Sequence, residues 1–152
     1  VYTAHILWEN NIDEFTKNKY SRAHHWSFDE GQTVLASSSP SVVRVPFSDP
    51  AGIDPEDALV ASISSCHMLT FLYLAAKAGF TIQRYEDTAE GLMGKIAEGR
   101  FAVTRCTIKP LIQFMGKQPT RAELDHLHHL AHEECFIANS VKTEIVCEPQ
   151  GV

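Results

Sequence analysis

The chain has 152 residues, a net charge of −6 and an ordinary apolar content of 44%. This length predicts a single domain, spanning residues 1–152, that is long enough to bury its own hydrophobic core. The acidic charge argues against nucleic acid or an anionic membrane surface as a partner, because neither is attracted to a negative surface.

Two features of the sequence predict a cytoplasmic protein. The longest uninterrupted apolar run in the central segment, residues 71–76, is far shorter than a membrane span. The N-terminal residues lack the charged-then-apolar pattern of a signal peptide. The four cysteines have neither CxxC nor zinc-finger spacing, so we expect reduced thiols at Cys66, Cys106, Cys135 and Cys147.

Alternating apolar and polar residues predict three short strands in the N-terminal third, at residues 2–8, 21–29 and 33–37. A long loop containing three prolines follows, up to Asp54. A loop of this length in a small domain is more often functional than a plain connection.

A long helix is predicted after this loop. Asp54 is a good N-cap, Pro55 suits the first helical position, and Gly79 suits the C-cap. Apolar residues fall on nearly all faces between Ala58 and Phe80, which predicts a helix buried at the centre of the structure. We expect a dimer, because a partner subunit that packs against so long an apolar helix would cover what one small chain does not.

The second half of the chain predicts two long antiparallel strands, a second helix and a final strand. The strands are residues 82–96 and 100–114. The capping box formed by Thr120 and Glu123 starts the helix, which extends to about Glu134, and residues 141–147 form the last strand. This order of elements predicts an α+β fold.

The residues around Cys66 leave two interpretations open, a packed thiol and a nucleophile. Its neighbours on the same helix face are Ser62, Ile63, Leu69 and Thr70, none of which is cationic. A reactive thiolate therefore needs a positive charge from another element, and Arg22 and Arg44 are the candidates. Glu56 lies about 15 Å away along a straight helix, too far to touch the thiol of its own chain.

Two segments resemble motifs of the OsmC/Ohr family, the osmotically inducible protein C and organic hydroperoxide resistance proteins. Residues 54–67, DPEDALVASISSCH, resemble the central-helix motif that carries the peroxidatic cysteine. Residues 132–144, HEECFIANSVKTE, resemble the motif that carries the resolving cysteine. His67 and Phe136, which follow the two cysteines, indicate an OsmC-like branch of the family.

The resemblance implies an intertwined homodimer in which antiparallel sheets surround a long buried central helix. It also implies that the protein is a thiol-dependent peroxidase. The expected substrates are organic hydroperoxides, with hydrogen peroxide as a further possible substrate. Cys66 would become a sulfenic acid and then form a disulfide with Cys135, with Arg22 activating the thiol and Glu56 holding Arg22. A dithiol, often a lipoyl group in this family, would reduce the disulfide, and no metal or organic cofactor is required.

Two other functions stay open. A protein with the same dimeric fold could bind a small apolar ligand without catalysis, with Cys66 as a packed thiol. Alternatively, the second predicted helix could bind a metal, because His128 and His132 share a face and Cys135 follows. We favour a solvated polar face for the histidines of this helix, and strand thiols without chemistry for Cys106 and Cys147.

Overall fold

The computed structural model describes residues 1–151. The strands are β1 (Ala4–Leu7), β2 (His24–Phe28), β3 (Thr33–Ala36), β4 (Thr81–Glu86), β5 (Glu90–Ala97), β6 (Arg100–Ile108), β7 (Leu111–Met115) and β8 (Glu144–Cys147). The helices are α1 (Pro55–Lys77) and α2 (Arg121–Glu134), with short 3-10 helices at Phe15–Lys17 and Ala138–Ser140. The α+β class predicted from the sequence is confirmed.

The chain divides into two compact units, residues 1–58 and the remainder from Leu59 onward. In the first unit, β1, β2 and β3 form an antiparallel sheet in sequence order. The loop after β3 returns to it, because Ala36 forms a parallel bridge with Ile53. Two buried serines stabilise this loop. The Ser37 hydroxyl accepts a hydrogen bond from the Asp49 amide, and the Ser48 hydroxyl donates one to the Val43 carbonyl.

Both helices begin where the sequence predicts. The Asp54 carboxylate accepts a hydrogen bond from the amide of Asp57 at 2.8 Å, which caps α1. Thr120 and Glu123 form a complete capping box at the start of α2. Gly79 follows α1 with a φ of +88°, a left-handed conformation that glycine adopts without strain and that ends the helix.

The prediction of two long strands at residues 82–96 and 100–114 is wrong. The first segment is interrupted at residues 87–89 and the second at residues 109–110, so that β4 pairs with β7 and β5 pairs with β6 in a different sheet. Asp87 stabilises both breaks, since its carboxylate accepts hydrogen bonds from the amide of Lys109 and from the Ser64 hydroxyl. Pro110 lacks the amide hydrogen that an uninterrupted strand would donate.

The second unit has two hydrophobic clusters that share α1. One cluster packs α1 against α2 and against β4 and β7; its buried members are Phe71, Leu74, Ala75, Phe80, Leu124, Leu127 and Ala131. The other packs α1 against the β5–β6–β8 sheet around Ile63, Cys106 and Ile108. In that sheet β8 runs parallel to β6, while β5 and β6 are antiparallel.

The single chain buries only part of α1, as expected for a helix that one small chain does not cover. The buried residues of the helix are Ile63, His67, Phe71, Leu74 and Ala75. On other faces Leu69 is 61% exposed and Tyr73 is 64% exposed. By length and composition alone, α1 could also span a membrane. A core helix of a water-soluble protein meets the same criterion, so this property does not by itself indicate a membrane protein.

Candidate functional site

Cys66 lies in the middle of α1, half-buried and present as a free thiol. The helix is regular around it, and the Thr70 hydroxyl donates a hydrogen bond to the Cys66 carbonyl at 2.9 Å. This pattern, in which a side chain bonds to the carbonyl four residues earlier, is common where threonine lies inside a helix. The thiol is therefore held on a rigid element and remains partly accessible.

Cys135 occupies the C-cap of α2 and is only 1% exposed. Its Sγ accepts a hydrogen bond from the amide of Ala138 at 3.4 Å, and its carbonyl accepts one from the amide of Asn139 at 3.0 Å. The chain thus turns sharply around this sulfur directly after the helix. These two hydrogen bonds fix the position of Cys135 in the second unit.

The two cysteines interact although 69 positions separate them in the sequence. Burial raises the pKa of the Cys135 thiol, and a hydrogen-bonding interaction with the Cys66 side chain raises it further. Helices α1 and α2 therefore bring together the two thiols that the sequence singled out. Both cysteines are free thiols.

Arg22 lies in the first unit, just before β2. Its guanidinium donates hydrogen bonds to the Asn18 side chain at 2.6 Å and to the Tyr20 carbonyl at 2.5 Å. The same group stacks 3.6 Å from the centre of the Tyr20 ring. These contacts hold Arg22 in one orientation within its own unit.

Arg22 borders two clefts of the first unit. One is an open, mainly apolar cleft of about 400 Å³, lined by Ile6, Trp8, Phe15, Tyr20, Arg22, His24 and Ser38. The other, of about 290 Å³, is rich in cations and is lined by Lys17, Asn18, Lys19, Arg22, Val42, Val43, Arg44 and Phe47. Both arginines suggested by the sequence therefore lie beside the cationic cleft.

Glu56 lies in the first turn of α1 and is half-buried. Within residues 1–151 of this single chain, no ion pair joins Glu56 to Arg22. The structure thus brings together Cys66 and Cys135 but does not pair the glutamate with the arginine.

The preference for a solvated polar face on α2 is wrong for one of its histidines. His126, His129 and His132 are exposed, but His128 is only 4% exposed. Its ring stacks against Phe71 with the centroids 4.3 Å apart, and its Nδ1 lies 3.0 Å from Nε2 of His67. His67 is buried as well. The burial of His67 could have been predicted from the sequence. His67 lies four residues after Ile63 and four before Phe71, so the three side chains share one face of α1.

A family model described as OsmC-like protein matches residues 48–150. This chain belongs to the OsmC-like family. The OsmC-like assignment covers the long helix, both cysteines and all the strands of the second unit. It confirms the resemblance that the two cysteine motifs indicated.

Individual relatives agree with this assignment. Peroxiredoxin OsmC of Escherichia coli (strain K12) is 24% identical over 134 residues, which cover 83% of this chain and 92% of the relative. The structure of an OsmC-like protein of unknown function from Vibrio cholerae O1 biovar eltor is 49% identical, with a TM-score of 0.94 and 98% of each chain covered. The organic hydroperoxide resistance protein OhrB of Bacillus subtilis shares the fold, with a TM-score of 0.65, 15% identity, and coverage of 99% of this chain and 98% of that one.

Proposed function

We propose that this OsmC-like protein is a thiol-dependent peroxidase that reduces organic hydroperoxides. The observation that carries the proposal is the interaction of two free thiols, Cys66 on α1 and Cys135 at the end of α2. The names of the relatives from Escherichia coli and Bacillus subtilis, a peroxiredoxin and a hydroperoxide resistance protein, support the same chemistry.

The reaction has two oxidative steps. The Cys66 thiolate attacks one peroxide oxygen, the O–O bond breaks, the alcohol leaves after protonation, and Cys66 becomes a sulfenic acid. The Cys135 thiol then attacks the sulfenic sulfur, so that an S–S bond forms and water leaves. An external dithiol, which we propose to be of the lipoyl type, returns both cysteines to thiols and becomes a disulfide itself.

The two cysteines suit different roles. Cys66 is half-buried, whereas Cys135 is almost fully buried and its pKa is raised by burial. A thiol reacts with peroxide as its thiolate and needs access to the substrate. Cys66 is therefore the peroxidatic cysteine of this proposal, and Cys135 is the resolving cysteine.

Arg22 is the proposed activating cation, oriented by Glu56 in the assembled protein. Support for Arg22 comes from its fixed position beside the mainly apolar cleft that Trp8, Phe15 and Tyr20 help to line. An apolar surface next to a cation suits an organic hydroperoxide better than hydrogen peroxide, because only the organic compound has an apolar group to bury. The cleft is also the observation that favours the second candidate, a non-catalytic protein that binds a small apolar ligand.

The functional form is proposed to be a homodimer of a single OsmC-like domain, located in the cytoplasm. The apolar side chains that α1 exposes, among them Leu69 and Tyr73, support a second copy of the chain as the partner that covers them. A reducing compartment would keep the four thiols reduced between turnovers.

The test is peptide mapping and intact mass of the reduced protein after one equivalent of cumene hydroperoxide, without added reductant. We expect a loss of about 2 Da and a linked Cys66–Cys135 peptide. A Cys135→Ser variant should instead gain about 16 or 32 Da at Cys66, because the sulfenic acid has no resolving thiol. A Cys106→Ser variant is the matched control, since it removes a buried thiol that has no part in the reaction, and it should still form the disulfide.

Two results would contradict the proposal. Unmodified thiols after peroxide treatment would make Cys66 a packed side chain and would favour the ligand-binding alternative. Unchanged turnover of Cys135→Ser with a dithiol reductant would remove Cys135 from the reaction.

A further inference from the structure

Three side chains with metal-ligating atoms meet in the second unit, away from the thiol pair described above. His67 comes from α1, His128 from α2 and Cys147 from the end of β8. One ligand atom from each lies within 4.8 Å of the other two. The histidines are buried, with 2% and 4% of their surfaces exposed.

The hydrogen bonds of this group are incomplete. Nε2 of His67 lies 3.0 Å from Nδ1 of His128, so these two nitrogens share one proton. Nε2 of His128 is buried and has no hydrogen-bond partner among the described residues. An unpaired polar atom in the interior costs roughly 1–3 kcal/mol, and such atoms are uncommon in folded proteins. A metal ion bound by this histidine would compensate for that cost.

Zinc binding would change the protonation of the three side chains. A metal ion bound by both imidazoles would replace the hydrogen bond between them, because two neutral rings that share one proton have only one lone pair left. Cys147 would bind as its thiolate. A bound divalent ion would supply the positive charge that lets this thiol release its proton.

A cavity gives access to the group. It has a volume of about 300 Å³ and is lined by the three ligand residues together with Asp125, His129 and His132, among others. This volume is sufficient for an ion and for water. The charges of Asp125 and Asp87 favour a cation near the histidines, and that of His132 opposes one.

We propose that His67, His128 and Cys147 form a binding site for Zn²⁺, with a water molecule from the cavity as the fourth ligand. Two imidazole nitrogens and one thiolate form a ligand set that zinc accepts in tetrahedral geometry and that magnesium and calcium do not prefer. Typical bonds of about 2.0 Å to nitrogen and about 2.3 Å to sulfur place ligand atoms roughly 3.5 Å apart. Binding therefore requires the widest pair of ligand atoms to approach by about 1 Å.

This ligand set differs from the one that sequence spacing suggested, His128 with His132 and Cys135. Because the site does not use Cys135, zinc binding leaves both redox thiols free. The site does not depend on the peroxidase proposal and would stand if that proposal failed.

The test uses the full-length, untagged protein, reduced and freed of metal by a chelator, with Zn²⁺ and Co²⁺ as the probes. We expect one equivalent of Zn²⁺ to bind and one equivalent of Co²⁺ to give a near-ultraviolet thiolate-to-metal charge-transfer band. The band should disappear in Cys147→Ser and persist in Cys66→Ser and Cys135→Ser. His128→Asn should weaken zinc binding at least about tenfold, as loss of a ligand does, whereas the exposed His126→Asn is the matched control and should bind normally.

X-ray absorption at the zinc edge of the wild-type protein provides a measurement that needs no variant. The spectrum should show one sulfur at about 2.3 Å and nitrogen or oxygen neighbours at about 2.0 Å. Absence of zinc binding, a zinc site without sulfur, or a cobalt band that is lost in Cys135→Ser would each overturn the proposal.

Discussion

His67 and His128 join the two helices that position Cys66 and Cys135, with Nε2 of His67 3.0 Å from Nδ1 of His128. The rings are nearly parallel, at 10° and with centroids 5.3 Å apart. His67 directly follows Cys66, and His128 lies seven residues, about two helical turns, before Cys135. The contact between these imidazoles therefore helps to fix how α1 and α2 approach each other where the thiols interact.

This contact makes the stability of the metal-free protein depend on pH. Burial lowers the pKa of both rings to about 4 from 6.5; the charges of His132 and His67 add to the lowering, and those of Asp87 and Asp125 oppose it. Between pH 4 and 6.5 the unfolded chain binds protons that the folded chain excludes, so stability falls as pH falls through this range.

We expect a loss of up to ~3 kcal/mol per ring between pH 6.5 and 4. The measurement is urea unfolding across this range with a chelator present. A His128→Leu variant should flatten the pH dependence relative to wild type, while the exposed His126→Asn should retain it. Equal slopes for wild type and His128→Leu would show that the ring is not held neutral.

The helices were predictable because their signals are local. Asp54 with Pro55, and Thr120 with Glu123, fix the two starts through contacts within four residues, and both predictions are confirmed. The long strands failed for the opposite reason, since the breaks depend on the Asp87 carboxylate reaching Lys109 22 positions away.

The candidate site also combines features that local sequence predicts with features that depend on contacts distant in sequence. The motifs identify Cys66 and Cys135 from their own neighbours in sequence, but only the packing of α1 against α2 brings the thiols together. Cys147 looked like an inert strand thiol because its partners His67 and His128 come from two other elements.

The exposed apolar face of α1 predicts that a charged side chain placed on it would dissociate the proposed dimer. A Leu69→Glu substitution would place a carboxylate on the surface that a second copy covers, and burying an unpaired charge is strongly unfavourable. We expect the variant to shift from dimer to monomer in sedimentation equilibrium, with an unchanged circular dichroism spectrum because Leu69 is 61% exposed in the single chain. Ala122→Glu, on the exposed part of α2, is the control and should remain dimeric. A wild-type protein that sediments as a monomer would contradict the proposed assembly.

Arg22 and Arg44 border the same cationic cleft, so the sequence and the cleft alone do not distinguish them. Arg22 differs in being fixed by Asn18 and Tyr20 and in also bordering the mainly apolar cleft.

If Arg22 is the activating cation, Arg22→Ala should slow the oxidation of Cys66 by cumene hydroperoxide at least about tenfold at neutral pH, because a nearby positive charge favours the thiolate. The rate is measured by stopped-flow mixing in single turnover, so that the reductant plays no part. Arg44→Ala is the matched control, with the same loss of charge beside the same cleft, and should react at nearly the wild-type rate. A slow Arg44→Ala together with a normal Arg22→Ala would transfer the activating role to Arg44, and two normal variants would show that neither arginine activates the thiol.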